Sequence, residues 1–177
     1  SVSPGEKFNR LVEIMARLRA PDGCPWDREQ SLDTLRKYLL EETYEVIEAI
    51  DTRDYPGLAE ELGDLMLQPV FQAQLAAEAG HFTISDSIDA IVNKLIRRHP
   101  HIFGDAEART ADDVKRRWDQ IKAEEKQGKG GEPRLLLAGV PRAQPSLSEA
   151  QEISAKVAKV GFDWPSTGEV FDKLNEE

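Results

Sequence analysis

Apolar side chains recur along this chain every third or fourth residue, and capping signals stand where the runs begin. Phe8, Leu11, Val12, Met15 and Leu18 form the first run. It is opened by Ser3-Pro4-Gly5-Glu6, which offers a capping serine, proline at the first helical position and glutamate at the third. The segment 20–30, APDGCPWDREQ, holds two prolines and a glycine and is predicted to be a loop. Leu32, Leu35, Leu39, Val46, Ile47 and Ile50 make one stripe of a second helix starting after Ser31. Tyr55-Pro56-Gly57 is expected to break the chain, with the next helix running from about Leu58 to Gly80. Thr83 and Asp86 open a helix through Arg98 that Pro100 stops, and Thr110 and Asp113 open another reaching about Gln127. Ser146 and Glu149 are read as the cap of a further helix that Gly161 closes. No stretch alternates between apolar and polar residues as a strand would. The predicted fold class is all-α, a helical bundle.

Acids concentrate in the stretch 41–64, EETYEVIEAIDTRDYPGLAEELGD: Glu41, Glu42 and Glu45, then Glu60, Glu61 and Asp64. A helix turns about 100° per residue, so positions three or four apart share a face. Glu42 and Glu45 are therefore neighbours, Glu42 at the margin of the stripe holding Leu35, Leu39 and Val46 and Glu45 one step further round. In the next helix Glu61, Asp64, Gln68 and Gln72 form a polar stripe beside Leu58, Leu65 and Leu75. Two helices joined by a short turn pack antiparallel, which can bring the four carboxylates to one spot. Clustered anions raise one another's pKa values, and a hard divalent cation with oxygen ligands resolves that conflict. The competing reading is a solvated face, which suits Lys37, Glu48 and Asp51 and stays open for Glu41 and Glu60. Spacing alone does not decide between them.

Composition narrows the classes. The 177 residues carry a net charge of -10, which argues against indiscriminate binding to nucleic acid or an anionic membrane. No apolar run approaches the length that spans a bilayer, and the start SVSPGEKFNR has no hydrophobic signal core, so the expected location is the cytoplasm. The single cysteine, Cys24, excludes an intrachain disulfide and a multi-cysteine metal site. Beside Pro25 and Trp26 it reads as a buried loop anchor. His99 and His101 flank Pro100, where they cap or pack; no neighbouring cysteine or histidine completes a zinc site. GKGG, at 128–131, lacks the spacing of a phosphate-binding loop. Arg97, Arg116 and Arg117 read as surface residues.

The pattern Glu-Glu-x-x-Glu, an interval, then Glu-x-x-Asp, here EETYE and ELGD, resembles the signature of the MazG-like family of nucleoside triphosphate pyrophosphohydrolases. The flanks extend the likeness, with GCPWDREQSLDTLRKYLLEETYEVIEAI before and NKLIRRHPHIFGD and VKRRWDQIK after. It covers roughly residues 6 to 126 and continues into LLLAGVPRAQPSLSEAQEISAKVAKVGFDW. The resemblance implies an all-α fold that dimerises and cleaves NTPs or dNTPs to the monophosphate and pyrophosphate. It implies Mg²⁺ as cofactor, with Mn²⁺ as a substitute. Residue by residue, Glu42, Glu45, Glu61 and Asp64 match the family's metal-binding positions. Lys94 and Arg98 match positions associated with triphosphate binding, and Trp118 and Lys122 match a nucleotide-contacting pair; for Trp118 a core position is the plainer alternative. Glu41 or Glu45 is the expected acceptor of the attacking water's proton. Pro69 is unusual in this frame and is expected to kink the helix just past Asp64.

The expected organisation is a metal- and nucleotide-binding helical domain over 1–127, a linker over 128–146, and over 147–177 a helix with the start of a second domain. GFDWPSTGEVFDKLNEE loosely echoes GCPWDREQSLDTLRKYLLEE, and long members of the family carry two such domains in tandem. The leading expectation is an NTP pyrophosphohydrolase of broad base selectivity that clears unwanted nucleotides. The alternatives are a narrower dUTP- or dCTP-directed enzyme and a non-catalytic, metal-binding dimerisation module of a two-domain enzyme. Expected partners are a nucleoside triphosphate and a second copy of the chain, with no stable nucleic-acid binding and no membrane.

Overall fold

A computed structural model describes residues 2–106, 108, 110–128 and 135–176. Most of the GKGG stretch and the first part of the expected linker, 129–134, lie outside the described residues. Among the described residues all regular structure is helical: α1 (Pro4–Arg19), α2 (Pro25–Glu29), α3 (Leu32–Thr52), α4 (Tyr55–Glu78), α5 (Ile84–Arg98), α6 (Pro100–Phe103), α7 (Ala111–Gly128), α8 (Ser146–Ala158) and α9 (Thr167–Glu176). The fold class is all-α. The chain divides into two compact units, Ser1–Ala108 and Arg109–Glu177.

Capping chemistry starts most of the helices of the first unit. Ser3 and Glu6 cap α1 reciprocally, and Ser31 and Thr34 do the same for α3. Thr83 and Asp86 form the third such box, at α5. Three departures from expectation share one cause. Pro25 opens a short helix inside the supposed loop 20–30, Pro56 lies in the first turn of α4, and Pro100 starts α6 instead of only ending α5. Proline lacks an N–H that the first turn leaves unpaired anyway, so a residue read as a breaker serves as a start. Thus 55–57 does not interrupt the chain: Asp54 caps α4 by accepting the Gly57 N–H at 3.1 Å. Further on, α4 continues through the exposed Pro69 to Glu78.

The segment between α1 and α2 is held by its backbone. Cys24 N–H donates to the Leu18 carbonyl at 2.7 Å and Gly23 N–H to that of Ala20 at 2.7 Å. A Cβ at Gly23 would stand 2.1 Å from the Leu18 oxygen, so only glycine fits this close approach. Cys24 is half-buried, less enclosed than the sequence reading expected.

Helices α1, α3 and α4 build the core. Met15, Leu35, Val70 and Phe71 are almost fully buried, with Phe8, Leu11, Val12, Leu18, Tyr38, Leu67, Leu75 and Ile84 packed around them. Each such large apolar side chain contributes about 1.5–3 kcal/mol on burial. The stripe predicted for α1 is this surface, but it includes one residue that the apolar pattern hides. Arg19, four residues past Met15, has only 9% of its side chain exposed. Its guanidinium donates to the Glu78 carboxylate at 2.6–2.9 Å, to the Gln30 carbonyl at 3.5 Å and to the Asp27 carbonyl, and lies 5.8 Å from the Phe71 ring centre. Arg19 therefore ties α1, the α2 segment and the end of α4 together.

In the second unit Thr110 and Asp113 cap α7 reciprocally, at 3.1 and 3.2 Å. At α8 the sequence reading needs correction. Ser146 is the first helical residue, and Pro145 is the N-cap without a side-chain bond; its carbonyl accepts the Glu149 N–H at 2.9 Å. Pro145 already holds the extended backbone that a cap requires, which leaves Ser146 inside the helix. Gly161, with φ +84°, lies just beyond α8, and the neighbouring Phe162 N–H closes onto the Val157 carbonyl at 3.1 Å.

The Arg19 tie carries a definite pH signature. Hydrogen bonds from Arg19 hold the Glu78 pKa below the ordinary value, with Gln74 adding a further donor. A depressed folded pKa stabilises the protein above the unfolded carboxylate value and loses that contribution as pH falls through the folded one. Arg19→Ala should cost about 2 kcal/mol at pH 7, and clearly less at pH 3. Urea unfolding at the two pH values measures the difference.

Candidate metal centre

Only Arg53 and Asp54 separate α3 from α4, so the two helices fold back antiparallel and make the most extensive helix contact of the first unit. Arg53 makes the turn in the left-handed region, at φ +60°, and Asp54 N–H bonds back to the Ala49 carbonyl at 3.0 Å. From this pairing Glu42 and Glu45 of α3 meet Glu61 of α4. One carboxylate oxygen from each lies within 4.8 Å of the other two. Glu42 and Glu61 are half-buried, while Glu45 and Asp64 are exposed.

The electrostatics follow the geometry. The Glu42 pKa is raised, first by desolvation, then by the charges of Asp64, Glu45 and Glu61, and by a side-chain hydrogen bond with Glu45. That of Glu61 is raised by desolvation, then by Glu45, Asp64 and Glu60. Asp64 is thus close enough to act on both partners, although its oxygen is outside the group of three. Glu41, exposed on α3, is neither in the group nor among the causes of these shifts. Three convergent oxygen donors, with no imidazole or thiolate among them, suit a hard divalent cation such as Mg²⁺.

The remaining candidates are carried by other helices. Lys94, exposed, and Arg98, half-buried, sit one turn apart on α5, which packs on α4 and α6. Neither is among the causes of the Glu42 or Glu61 shifts. Trp118 and Lys122 belong to α7 in the other unit, where the Lys122 ammonium stands 5.4 Å from the half-buried Trp118 ring. Concave surfaces of that unit, about 640 Å³ around Thr110 to Asp119 and about 400 Å³ around Phe162 and Trp164, are lined by other residues. His99 caps α5, its Nδ1 2.7 Å from the Leu95 carbonyl oxygen.

Comparison with known proteins now bears on this geometry. Residues 30–103, which contain all four acids, match the MazG nucleotide pyrophosphohydrolase domain. A crystal structure of a mazG-related protein from Thermotoga maritima superimposes with a TM-score of 0.57 at 30% identity, covering 65% of this chain and 98% of that one. The chain belongs to the MazG family. Among MazG relatives, a nucleoside triphosphate pyrophosphohydrolase of Escherichia coli K12 is 49% identical over 172 residues, 97% of this chain and 65% of that protein. A nucleoside triphosphate pyrophosphohydrolase/pyrophosphatase MazG of Thermotoga maritima is 46% identical over 173 residues, 98% and 65% of the two lengths. The chain therefore spans just under two thirds of these relatives.

The raised pKa values of the acids predict a stability profile opposite in sign to that of Glu78. An acid whose folded pKa is raised favours folding most when protonated, so stability falls as pH rises from the unfolded value through the folded one. In EDTA at pH 7, Glu42→Gln should unfold at a higher temperature than the unsubstituted protein. Mg²⁺ should raise the unfolding temperature of the latter and do so much less for the variant. Thermal melts across pH 4–8, with EDTA and with Mg²⁺, read both effects.

Proposed function

We propose that this MazG chain hydrolyses nucleoside and deoxynucleoside triphosphates to the monophosphate and pyrophosphate at the acidic centre of α3 and α4, with Mg²⁺ as cofactor and Mn²⁺ as a substitute. The observation that carries the reading is the meeting of Glu42, Glu45 and Glu61 across two helices, in the part of the chain that matches the pyrophosphohydrolase domain. Two of the relatives bear that activity in their names. The bound cation would neutralise phosphate charge and favour ionisation of a nearby water.

The chain's own residues divide the remaining work. Glu42, Glu45, Glu61 and Asp64 supply the anionic oxygens. Glu45 is favoured over Glu41 as acceptor of the attacking water's proton, because it stands within the carboxylate group and Glu41 does not. Lys94 and Arg98 are assigned to the phosphates, where their charge would offset that of the leaving pyrophosphate. Trp118 offers a flat face to a base, with Lys122 beside it.

A second copy completes the picture. None of the residues of α5 is buried, and Ile88, Ile91, Val92, Leu95 and Ile96 each remain between 39% and 45% exposed. Leu40, Tyr44 and Ile47 of α3 are exposed as well. Apolar surface on this scale marks an association face, and we assign it to a homodimer, to be checked by light scattering. Among the described residues no helix is long and apolar enough to cross a membrane.

Because relatives are longer, a metal-binding dimerisation module remains the second reading. Pyrophosphate release from a panel of NTPs and dNTPs separates the two. Turnover in Mg²⁺ that stops in EDTA is expected, with one monophosphate per pyrophosphate and activity across several bases. Glu45→Ala and Asp64→Ala should each lower kcat on the order of 100-fold or more, with the helical circular dichroism intact. Lys94→Ala should instead raise KM roughly tenfold. No release from a folded protein that binds Mg²⁺ would establish the module.

A further inference from the structure

Among the described residues one buried side chain is polar: Gln68, 5% exposed. Its Oε1 has no hydrogen-bond partner. A buried acceptor without a donor is a net cost to a fold and calls for an account. Its position supplies one. Gln68 is four residues past Asp64 and seven past Glu61, so it shares their face of α4, about 6 and 10 Å further along the axis. Helical side chains lean back toward the N-terminus of their own helix. Gln68, Asp64 and Glu61 thus lean the same way along α4, whereas Glu42 and Glu45, on the antiparallel α3, lean the opposite way, toward Gln68.

The donors and acceptors then decide what can sit there. Carboxylates offer only acceptors, and so does the carboxamide oxygen. A water placed between them can donate one proton to a carboxylate and the other to Oε1, which turns its lone pairs toward the position of a cation. Such bridging waters satisfy buried polar groups at little cost. We propose that Gln68 is a positioning residue of the acidic centre, its Oε1 accepting a hydrogen bond from a water at the base of Glu42, Glu45 and Glu61. This rests on reading that centre as a divalent-cation site. Gln68 then affects cation affinity without touching the cation, as outer partners of metal ligands do.

Methionine has nearly the shape of glutamine and no strong acceptor, so Gln68→Met separates structure from function. Two measurements are needed: the unfolding temperature in EDTA, and Mg²⁺ affinity by calorimetry with Mg²⁺ alone. The expected result is a Q68M protein that remains folded in EDTA yet binds Mg²⁺ roughly tenfold more weakly. Unchanged Mg²⁺ affinity in Q68M would overturn the proposal while leaving the cation site standing. No Mg²⁺ binding by the unsubstituted protein would remove the cation reading and this proposal together. Should Q68M not fold, Gln68→Glu carries the test: it keeps an acceptor at the same reach and must bind Mg²⁺ at least as tightly, and weaker binding overturns the proposal.

Discussion

The carboxylates of α3 and α4 face one another because two residues are all that join the helices. With Arg53 in the left-handed region and Asp54 capping the next helix, the chain has no slack with which to splay. Whatever pushes the acids apart must work against that turn and against the core on the other side of the pair. The same pair is tied again where α4 ends, by Arg19, which reaches Glu78 and the carbonyls just ahead of α3. The acidic centre thus lies along a helix pair restrained near both ends. Desolvation first, and the charges of neighbouring acids after it, raise the pKa values of Glu42 and Glu61 there.

These restraints use charge in opposite senses. At Glu78 a guanidinium lowers the pKa, so ionisation and folding favour each other. At Glu42 and Glu61 desolvation and like charge raise it, so ionisation and folding oppose each other. A protein selected only for stability would have no reason to build the second arrangement beside an apolar core. A site that must take up a cation has one, because the unfavourable term disappears when the charge is matched. The buried Gln68 acceptor further along the same stripe fits this pattern of local cost.

Much of this was legible in the sequence wherever the determining interactions are local. The capping signals at Ser3 and Thr83, the start after Ser31 and the apolar stripes fix helix starts and faces within one or two turns, and the acid spacing fixes which carboxylates share a face. Proline was the local signal that misled, since Pro25, Pro56 and Pro100 carry the same mark whether they end one helix or begin another. Ser146 misled for a related reason: the residue before it already held the cap geometry. Arg19 was not legible as a tie, because its partner Glu78 is distant in sequence and only the folded α1–α4 contact joins them. The hint it gave was a cation four residues past Met15, on the face that packs. Asp64 shows the remaining limit. Spacing ranks it equal to Glu61, whereas the packed pair leaves its oxygen outside the group of three.

Helix α5 keeps an apolar stripe that the first unit leaves uncovered. Its cap, its length and its apolar stripe are settled locally, yet no residue on it is buried. Ile88, Ile91, Val92, Leu95 and Ile96 each keep 39–45% of their surface exposed, so α5 retains apolar area that the first unit alone does not cover. At about 100° per residue, Arg98 and Lys94 fall along one edge of that stripe. Whatever covers the apolar residues must therefore also set where these two cations point. Association and phosphate binding would then be one constraint, because the contact that buries Leu95 fixes the residues one position before it and three after.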